Sequence, residues 1–233
     1  MHNYRTTLPL RKGLSSSAAF CVLIAKAFGL CYGLHLTTRG EMEYAYQGEI
    51  TTPSRCGRMD QACAYGSTMV TMTYDADLLH VERLRVAADL HLVLVDLCAA
   101  KCTTTILREL QRGFPHPADD VQRGVHELLG ATNERVVAQA EAALAAGDLE
   151  TLGALMTHAQ DRFDALAGPA CPEELVAPVL HRTLAHAALH PHIHGAKGVG
   201  SQGDGTAQFL CKVRASARTL SPAPGCTCCV GVR

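Results

Sequence analysis

A run of mostly small residues from Gly13 to Ala19 leads directly into an alanine- and leucine-rich stretch that continues to about Leu30. Because serine is a preferred N-cap residue and alanine is the best helix former, this pattern predicts a loop that opens into a buried helix. The first N–H groups of a helix lack intrahelical partners, and the helix dipole adds partial positive charge there. The segment is therefore either a phosphate-binding loop, to which Ser16 and Ser17 can add hydroxyl ligands, or the serine cap of a core helix, and the local residues favour neither.

A second group of polar residues follows in the segment from Glu49 to Gln61. Its two carboxylates, Glu49 and Asp60, are 60 − 49 = 11 residues apart and are joined by residues that include Pro, Ser and Gly. One carboxylate can hold a divalent metal ion while the other takes a proton from a hydroxyl nucleophile, as phosphoryl transfer requires. Two acids around a turn are also commonly just solvated, so both interpretations stay open at this point.

The third group is the glycine-rich run from Gly195 to Gly205, which contains Gly-x-Gly-x-x-Gly at positions 198, 200 and 203. That pattern occurs in dinucleotide-binding loops, where a helix follows it and an acidic residue lies about 20 residues further on. Here residues 206–213 are predicted to form a strand, and no such acidic residue follows. A loop that lets the backbone approach a ligand or another domain fits better, and an NAD-dependent oxidoreductase is a remote alternative.

Composition and charge narrow the class of protein. The 21 Lys and Arg residues nearly balance the 22 Asp and Glu residues, which argues against a broadly basic nucleic-acid-binding protein. The longest unbroken apolar run, Ala18 to Ala25, is far shorter than the roughly 20 residues of a membrane-spanning helix. The 11 cysteines form no Cys-x-x-Cys pair, and we interpret them as reduced core thiols rather than a disulfide framework. We expect no nucleic-acid or membrane partner and a cytoplasmic location, with organelle targeting left open.

The spacing of apolar residues predicts strands first and mainly helices afterwards. Three β-rich runs predict strands, the last nearly all apolar and therefore central, at residues 68–74, 79–84 and 91–97. Helical spacing recurs later at residues 121–144 and 149–166, and a further helix is predicted after Pro172. Between the two long helices, Gly147 and Asp148 predict a helix end followed by an N-cap.

This change of character predicts an α+β protein of two domains. We place the first domain at residues 1–88 and the second at residues 89–213. Residues 214–233 carry cysteines and prolines without periodicity and are predicted to be an irregular tail.

Taken in order, the three groups of residues resemble the GHMP kinase superfamily, which includes galactokinase, homoserine kinase, mevalonate kinase and phosphomevalonate kinase. The family's phosphate loop, Pro-x3-Gly-Leu-Ser/Gly-Ser-Ser-Ala, is matched by Pro9 and residues 13–18, and the family's Mg²⁺-binding Glu and catalytic Asp match Glu49 and Asp60. Residues 56–61, Cys-Gly-Arg-Met-Asp-Gln, look most like the galactokinase version of that segment, which favours a sugar substrate. The resemblance extends from residue 8 to about residue 213.

The resemblance implies an ATP-dependent kinase that transfers the γ-phosphate to a hydroxyl of a sugar or related metabolite, with Mg²⁺. It implies that Asp60 is the catalytic residue, as proton acceptor or electrostatic orienter, and that Ser17 and Glu49 hold Mg²⁺. The implied ATP-binding residues are Lys12, Gly13, Leu14, Ser15, Ser16, Ser17 and Ala18, and the implied glycine-rich loop contains Gly198, Gly200, Gly203 and Gly205. The implied fold is a partial ribosomal-protein-S5-domain-2-like N-terminal domain followed by a ferredoxin-like C-terminal domain.

The chain also departs from the family pattern. It begins just before the second family motif, so we expect an N-terminally truncated first domain that exposes an unpaired sheet edge or an apolar face. In the glycine motif Ser201, Gln202 and Asp204 replace mostly small residues, and an Asp near phosphates is unfavourable unless Mg²⁺ or a lysine offsets its charge. The alternative hypothesis is a catalytically inactive nucleotide-binding or regulatory protein of this fold, which forms a homodimer through its first domain.

Overall fold

The computed structural model describes residues 2, 5–6, 14–52, 57–75, 77–213 and 229–232. The chain separates into two compact units, Met1–Arg85 and Val86–Arg233. The mixture of helices and sheets confirms the α+β class. In the described part of the chain, no helix is both long enough and apolar enough to cross a membrane.

Among its described residues, the first unit contains a helical hairpin, a short 3-10 helix and a two-stranded sheet. Its elements are α1 (Ser16–Cys31), α2 (Thr38–Glu49), the 3-10 helix Asp60–Tyr65, β1 (Val70–Asp75) and β2 (Leu78–Arg83). Helix α2 begins at a threonine cap, because the Thr37 hydroxyl accepts a hydrogen bond from the Gly40 N–H at 3.1 Å. The strands β1 and β2 pair antiparallel. A small core joins the helices to this sheet: Val22, Met42, Ala45, Ala64 and Leu79.

Helix α1 is less buried than the sequence predicts. Its buried side chains are Ala18, Val22 and Ala25, of which Val22 belongs to the core of the first unit. Its larger apolar side chains are exposed: Phe20, Leu23, Phe28 and Leu30. The prediction of a buried helix is therefore wrong for half of its surface, whereas the expected exposed apolar face is present on α1.

The second unit contains a four-stranded antiparallel sheet and six helices among its described residues. The helices are α3 (Thr103–Gln111), α4 (Asp120–Glu127), α5 (Asn133–Ala146), α6 (Leu149–Leu166), α7 (Pro172–Leu175) and α8 (Pro178–Leu184). The strands are β3 (His91–Asp96), β4 (Ile193–Gly198), β5 (Thr206–Cys211) and β6 (Cys229–Val232), in the order β4-β5-β3-β6. Strand β3 lies between two partners, which confirms the prediction of a central strand.

Local signals explain where the long helices of this unit begin and end. Gly147 ends α5 with a left-handed φ of 74°, and the Asp148 carboxylate accepts a hydrogen bond from the Thr151 N–H at 3.0 Å, so both predicted signals are confirmed. The predicted continuous helix over residues 121–144 is interrupted, because Gly130 has the non-helical angles φ −98° and ψ −109°. Glycine has little preference for helical angles, so it permits this break between α4 and α5.

The end of the chain corrects one prediction. Strand β6 pairs antiparallel with β3, with Leu92 opposite Val232 and Val95 opposite Cys229. Residues 214–233 are therefore not irregular throughout. The predicted tail missed this strand because backbone pairing with β3, rather than any apolar periodicity of its own, places these four residues.

Two apolar cores stabilise the second unit. The first lies on one face of the sheet and includes Val93, Phe209 and Leu180 of α8. The second joins α3, α4 and α7 through Ile106, Val125 and Leu175. A close contact between glycines brings α6 against β4, since a Cβ on Gly195 would overlap the Gly153 backbone. These contacts position the loop between β4 and β5.

Candidate active site

Among the described residues, the N-cap side chain of α1 does not cap the backbone N–H groups at the helix N-terminus. Ser15, the residue at the N-cap position, has left-handed angles of φ 54° and ψ 31°, and its side chain makes no capping hydrogen bond. A left-handed conformation is strained for a residue other than glycine, and such strain is concentrated at functional sites. The first turn of α1 contains no acidic residue that would oppose an anion. These features fit a phosphate-binding helix terminus and not the alternative of a serine-capped core helix.

The predicted ATP-binding segment is only partly described. Leu14, Ser15, Ser16 and Ala18 are half-buried or buried, and Ser17 is exposed. Lys12 and Gly13 lie outside the described residues. The hydroxyl of Ser17, in the first turn of α1, therefore lies at the surface where a ligand can reach it.

The helical hairpin brings Glu49 close to this end of α1. Lys26 Nζ lies 3.4 Å from Glu41 Oε2, early in α2, whereas Cys21 lies near Glu49 at the end of α2. The two helices therefore run antiparallel. Burial, and secondly the negative charge of Glu49, raise the pKa of the Cys21 thiol. Ser17 precedes Cys21 by one helical turn and lies on the same face of α1, so Glu49 and Ser17 belong to the same end of the first unit.

Glu49 is a buried carboxylate with one free oxygen. The residue is 1% exposed, and its Oε2 accepts a hydrogen bond from Gln61 Nε2 at 2.7 Å. In the described part of the structure, Glu49 Oε1 and Gln61 Oε1 have no hydrogen-bond partner. A buried carboxylate oxygen without a partner is unfavourable unless a cation or a donor satisfies it. Oxygen ligands of this kind suit Mg²⁺, so the residues present fit the metal that the sequence predicts.

Asp60 begins the 3-10 helix that also carries Gln61. Burial, and secondly the charge of Asp60, raise the pKa of the Cys63 thiol, and the charge of Glu49 adds to this effect. The carboxylates of Glu49 and Asp60 therefore both lie close enough to the Cys63 thiol to raise its pKa. Asp60 is half-buried, so part of the residue remains exposed to solvent.

Arg58, which the sequence places beside these acids, is engaged elsewhere. Its guanidinium lies 3.5 Å from Glu43 Oε1 and 4.8 Å from the centre of the Tyr46 ring, and Nη1 donates to the Asp77 carbonyl at 3.0 Å. It therefore serves mainly to fix the segment before Asp60 against α2. No cluster of three or more His, Cys, Asp or Glu side chains able to hold a metal ion occurs in the described ranges, so a bound Mg²⁺ would also need hydroxyl or phosphate ligands.

The four predicted glycines lie in or next to the connection between β4 and β5. Gly198 ends β4, Gly205 directly precedes β5, and Gly200 and Gly203 have left-handed φ values of 63° and 72°. The connection joins two antiparallel strands instead of a strand and a helix. The dinucleotide-binding alternative is therefore not supported.

Lys101 holds this glycine loop in place. Its Nζ donates to the Gln202 carbonyl at 2.7 Å and to Ser201 Oγ and the Val199 carbonyl at 3.3 and 3.4 Å. A Cβ on Gly205 would lie 2.9 Å from Lys101 Cε, so the loop backbone packs directly on the lysine stem. Burial lowers the pKa of Lys101, and the charge of Glu174 partly offsets this. In the sequence, the position of Lys101 soon after a buried strand is the one signal for this role. Nothing in the sequence indicates its hydrogen-bond partners, which lie about 100 residues later.

Asp204 and Gln160 fix the loop to the neighbouring helices. The Asp204 carboxylate accepts hydrogen bonds from the N–H groups of Leu180 and Val179, at 2.8 and 3.3 Å, at the start of α8. The carboxylate that the sequence suggested would oppose a phosphate therefore caps a helix instead. Gln160 Oε1 accepts a hydrogen bond from the Gly198 N–H at 2.7 Å, and its Nε2 donates to Asp164 at 2.8 Å.

Comparison with known families identifies the first unit. Residues 3–67 match the family model described as GHMP kinases N terminal domain. The first unit is therefore similar to a GHMP kinase N-terminal domain. The resemblance to the GHMP kinase superfamily that the motifs indicated is confirmed, and the matched region contains the α1 terminus, Glu49 and Asp60. No curated protein matches the sequence.

Solved structures show that the chain as a whole has the GHMP kinase fold. Galactokinase of Lactococcus lactis, complexed with galactose, has a TM-score of 0.70 and 19% identity over 88% of this chain and 59% of its own. Mevalonate kinase of L. major, in complex with R-mevalonate, has a TM-score of 0.65 and 21% identity, over 88% of this chain and 59% of its own. Homoserine kinase of Cytophaga hutchinsonii has a TM-score of 0.67 and 22% identity, over 92% of this chain and 61% of its own. This chain therefore spans about three fifths of the length of these GHMP kinases.

Proposed function

We propose that the protein is an ATP-dependent kinase that transfers a phosphoryl group to a hydroxyl of a small molecule, most specifically a sugar or related metabolite. The observation that carries the proposal is the free Oε1 of buried Glu49, at the same end of the first unit as the uncapped N-terminus of α1 and near Asp60. The segment Cys-Gly-Arg-Met-Asp-Gln at residues 56–61 and the similarity to a galactose-bound galactokinase support a sugar acceptor. The proposed partner is thus a small molecule and the proposed location is the cytoplasm.

The proposed roles follow from the chemistry of each group. The N–H groups and hydroxyls of residues 14–18, together with Lys12 and Gly13, bind the phosphates of ATP. Glu49 and the Ser17 hydroxyl hold Mg²⁺, which neutralises phosphate charge when bound. Asp60 orients the acceptor hydroxyl and accepts its proton.

Two further elements complete the proposal. Gln61 is a positioning residue, because its amide fixes one Glu49 oxygen and leaves the other free. The glycine loop, with Gly198, Gly200, Gly203 and Gly205, is the proposed ligand-facing backbone of the second unit, and Lys101 fixes it in place.

Asp60→Asn tests the catalytic assignment. ADP release would be measured with sugars, sugar acids, mevalonate and homoserine as acceptors, and nucleotide binding would be measured separately by calorimetry. We expect turnover to fall by at least about 100-fold with nucleotide affinity retained, since the amide cannot accept the proton. Asp75→Asn, a change at an exposed carboxylate of the same unit, is the control and should leave turnover unchanged. Normal turnover in the Asp60 variant would refute the role, and nucleotide binding without turnover on any acceptor by the wild-type chain would support the inactive alternative.

Glu49→Gln tests the metal assignment with little change of shape. The amide oxygen can still accept from Gln61, but the charge that attracts Mg²⁺ is lost. We expect the Mg²⁺ concentration for half-maximal activity to rise by at least about tenfold. Glu82→Gln, at an exposed position of β2, controls for the loss of one negative charge. An unchanged Mg²⁺ titration would contradict metal binding by Glu49.

A further inference from the structure

A groove between α5 and α6 is lined by cationic and polar side chains that the proposed function does not use. It has a volume of about 280 Å³. Its lining residues are Thr132, Arg135, Val136, Gln139, His158 and Arg162. The first four follow the spacing of one helical face along α5, and the last two are one turn apart on α6. Because the short turn at Gly147 and Asp148 makes the two helices antiparallel neighbours, these faces meet along one groove.

The charged groups that line this groove are all basic. Arg135 and Arg162 contribute guanidinium groups and His158 contributes an imidazole, whereas no acidic residue is part of the lining. In the described part of the chain, the one carboxylate in contact with these three side chains is that of Glu127, whose Oε1 lies 3.0 Å from Arg162 Nη2. Two guanidinium groups therefore share one carboxylate, which leaves an excess of positive charge that an anion can balance.

A chain of hydrogen bonds fixes both guanidinium groups at the same end of the groove. Arg135 Nη2 donates to Thr132 Oγ1 at 3.2 Å, and that hydroxyl donates at 3.4 Å to Glu127 Oε1, the oxygen that Arg162 contacts. Thr132 is 3% exposed and ends the π-helical turn Leu128–Thr132, a geometry that is frequent at functional sites. Among the described residues each guanidinium uses one of its five N–H donors in this chain, so the others remain for a ligand.

This arrangement lowers the cost of binding. Arg135 and His158 are exposed, so an anion can reach them from solvent, whereas Thr132 is buried beneath. A flexible arginine loses side-chain entropy when it orders around a ligand, but a guanidinium that is already tethered loses less. The groove therefore offers a preorganised pair of arginines.

The donor set suits a phosphate group better than a carboxylate. The guanidinium fork matches the oxygens of both groups, but three cationic side chains from two helices can contact three separate oxygens, and a carboxylate has only two. A phosphomonoester carries a charge of about −1.5 to −2 at neutral pH, which suits two guanidinium groups of which Glu127 balances one in part. The volume of the groove is at the low end for small-molecule sites, so the rest of such a ligand is small.

We propose that the α5–α6 groove is a binding site for a small phosphorylated metabolite, whose phosphate lies between Arg135 and Arg162 and next to His158. The organic part of the metabolite contacts Gln139 and Val136, which line the same groove. The site contains none of the residues with a proposed catalytic role, and it does not depend on the proposed kinase activity.

Modification of the full-length protein by phenylglyoxal, mapped by peptide mass spectrometry, tests the proposal at individual arginines. Glycerol 3-phosphate at about 10 mM should slow the modification of Arg135 and Arg162 at least about fivefold, as expected for a dissociation constant of about 2 mM or lower. Arg112 and Arg182, which are exposed in the same unit and do not line the groove, should keep their rates. Glycerol at the same concentration should protect none of the four. Unchanged rates at Arg135 and Arg162 would overturn the proposal.

Two further ligands separate a phosphomonoester from other anions. Glycerate, a carboxylate of similar size, should protect Arg135 and Arg162 several-fold less than glycerol 3-phosphate, because it has one oxygen fewer for the cationic side chains. Inorganic phosphate should also protect them less, because it lacks the organic part that contacts Gln139 and Val136. Equal protection by glycerate would assign the groove to carboxylates, and equal protection by inorganic phosphate would show that no organic part is recognised. Either result would overturn the proposal.

Arg135→Gln and Arg162→Gln test the pair of arginines with the same measurement, because in each variant the remaining arginine reports protection. The loss of one charge-assisted contact should raise the glycerol 3-phosphate concentration for half-maximal protection at least about tenfold. Arg182→Gln removes one exposed positive charge outside the groove and should leave that concentration unchanged. Exposed ion pairs contribute little to stability, so the variants should keep the wild-type circular dichroism spectrum. Folded variants in which protection is as strong as in the wild type would refute the site.

Discussion

Replacing Lys101 with methionine should lower the free energy of unfolding of the second unit by about 2 kcal/mol, the typical value for one hydrogen bond from a charged donor. The estimate rests on the short hydrogen bond from Nζ to the Gln202 carbonyl at 2.7 Å, since the other two, at 3.3 and 3.4 Å, are long and weak. Methionine keeps most of the stem on which Gly203 and Gly205 pack, so the change isolates the ammonium group.

The pH dependence of this effect has a definite sign. Burial lowers the pKa of Lys101 in the folded state, so between that pKa and the ordinary lysine value of about 10.4 the unfolded chain binds more protons. Stability therefore rises with pH across this window in the wild type but not in the methionine variant. The difference in unfolding free energy between the two should widen as the pH rises from the folded pKa towards about 10.4, and it should stay constant below the folded pKa, where both states hold the proton.

Urea unfolding, followed by far-ultraviolet circular dichroism at several pH values, measures both quantities. Lys212→Met is the matched control, because Lys212 is exposed and the hydrogen bond that its backbone N–H donates to the His192 carbonyl does not involve the side chain. Limited proteolysis should also show faster cleavage within residues 199–205 in the Lys101 variant. If the Lys101 and Lys212 variants were equally stable, the reasoning that Lys101 fixes the glycine loop would be refuted.

Two further changes test the packing and capping of α6. Gly153→Ala should destabilise the second unit by about 1–3 kcal/mol in urea unfolding, because its Cβ would overlap the His194 backbone. Gly168→Ala, where a Cβ meets nothing within 4 Å, should stay within about 0.5 kcal/mol of the wild type. Asp148→Ala should lower stability at neutral pH. Hydrogen bonds from Thr151 lower the pKa of Asp148, so this stabilisation is present above the ordinary carboxylate pKa and is lost as the pH falls through the folded value. Acid titration of the unfolding free energy should therefore show the two proteins converging at low pH.

Signals within a few residues of sequence predicted much of the fold. The helix end at Gly147, the cap at Asp148 and the apolar strand beginning at His91 were all recognisable, because caps, turns and periodicity depend on neighbouring residues. Helix α3 went unrecognised, since it is short and begins with three β-branched threonines. Strand β6 was also missed, because it depends on pairing with the distant strand β3.

The candidate site, like the fold, could be predicted from the sequence only in part. The motif around Ser15–Ser17 and the 11-residue spacing from Glu49 to Asp60 indicated the family and the residue types. They did not indicate that Gln61 occupies one Glu49 oxygen and leaves the other free. That depends on how the 3-10 helix packs against the hairpin.

The sequence by itself determined most of the local elements of this protein, namely the long helices and the apolar strands, and it indicated where a helix can accept an anion and which chemistry its motifs resemble. The tertiary structure alone decided which polar side chains have hydrogen-bond partners and which apolar side chains are covered. It assigned Asp204 to the cap of α8 and Lys101 to the carbonyls of the glycine loop, and it left the outer face of α1 uncovered. The physical reason is that a hydrogen bond or an apolar contact depends on distance in space, and residues about 100 positions apart become neighbours only through the topology of the folded chain.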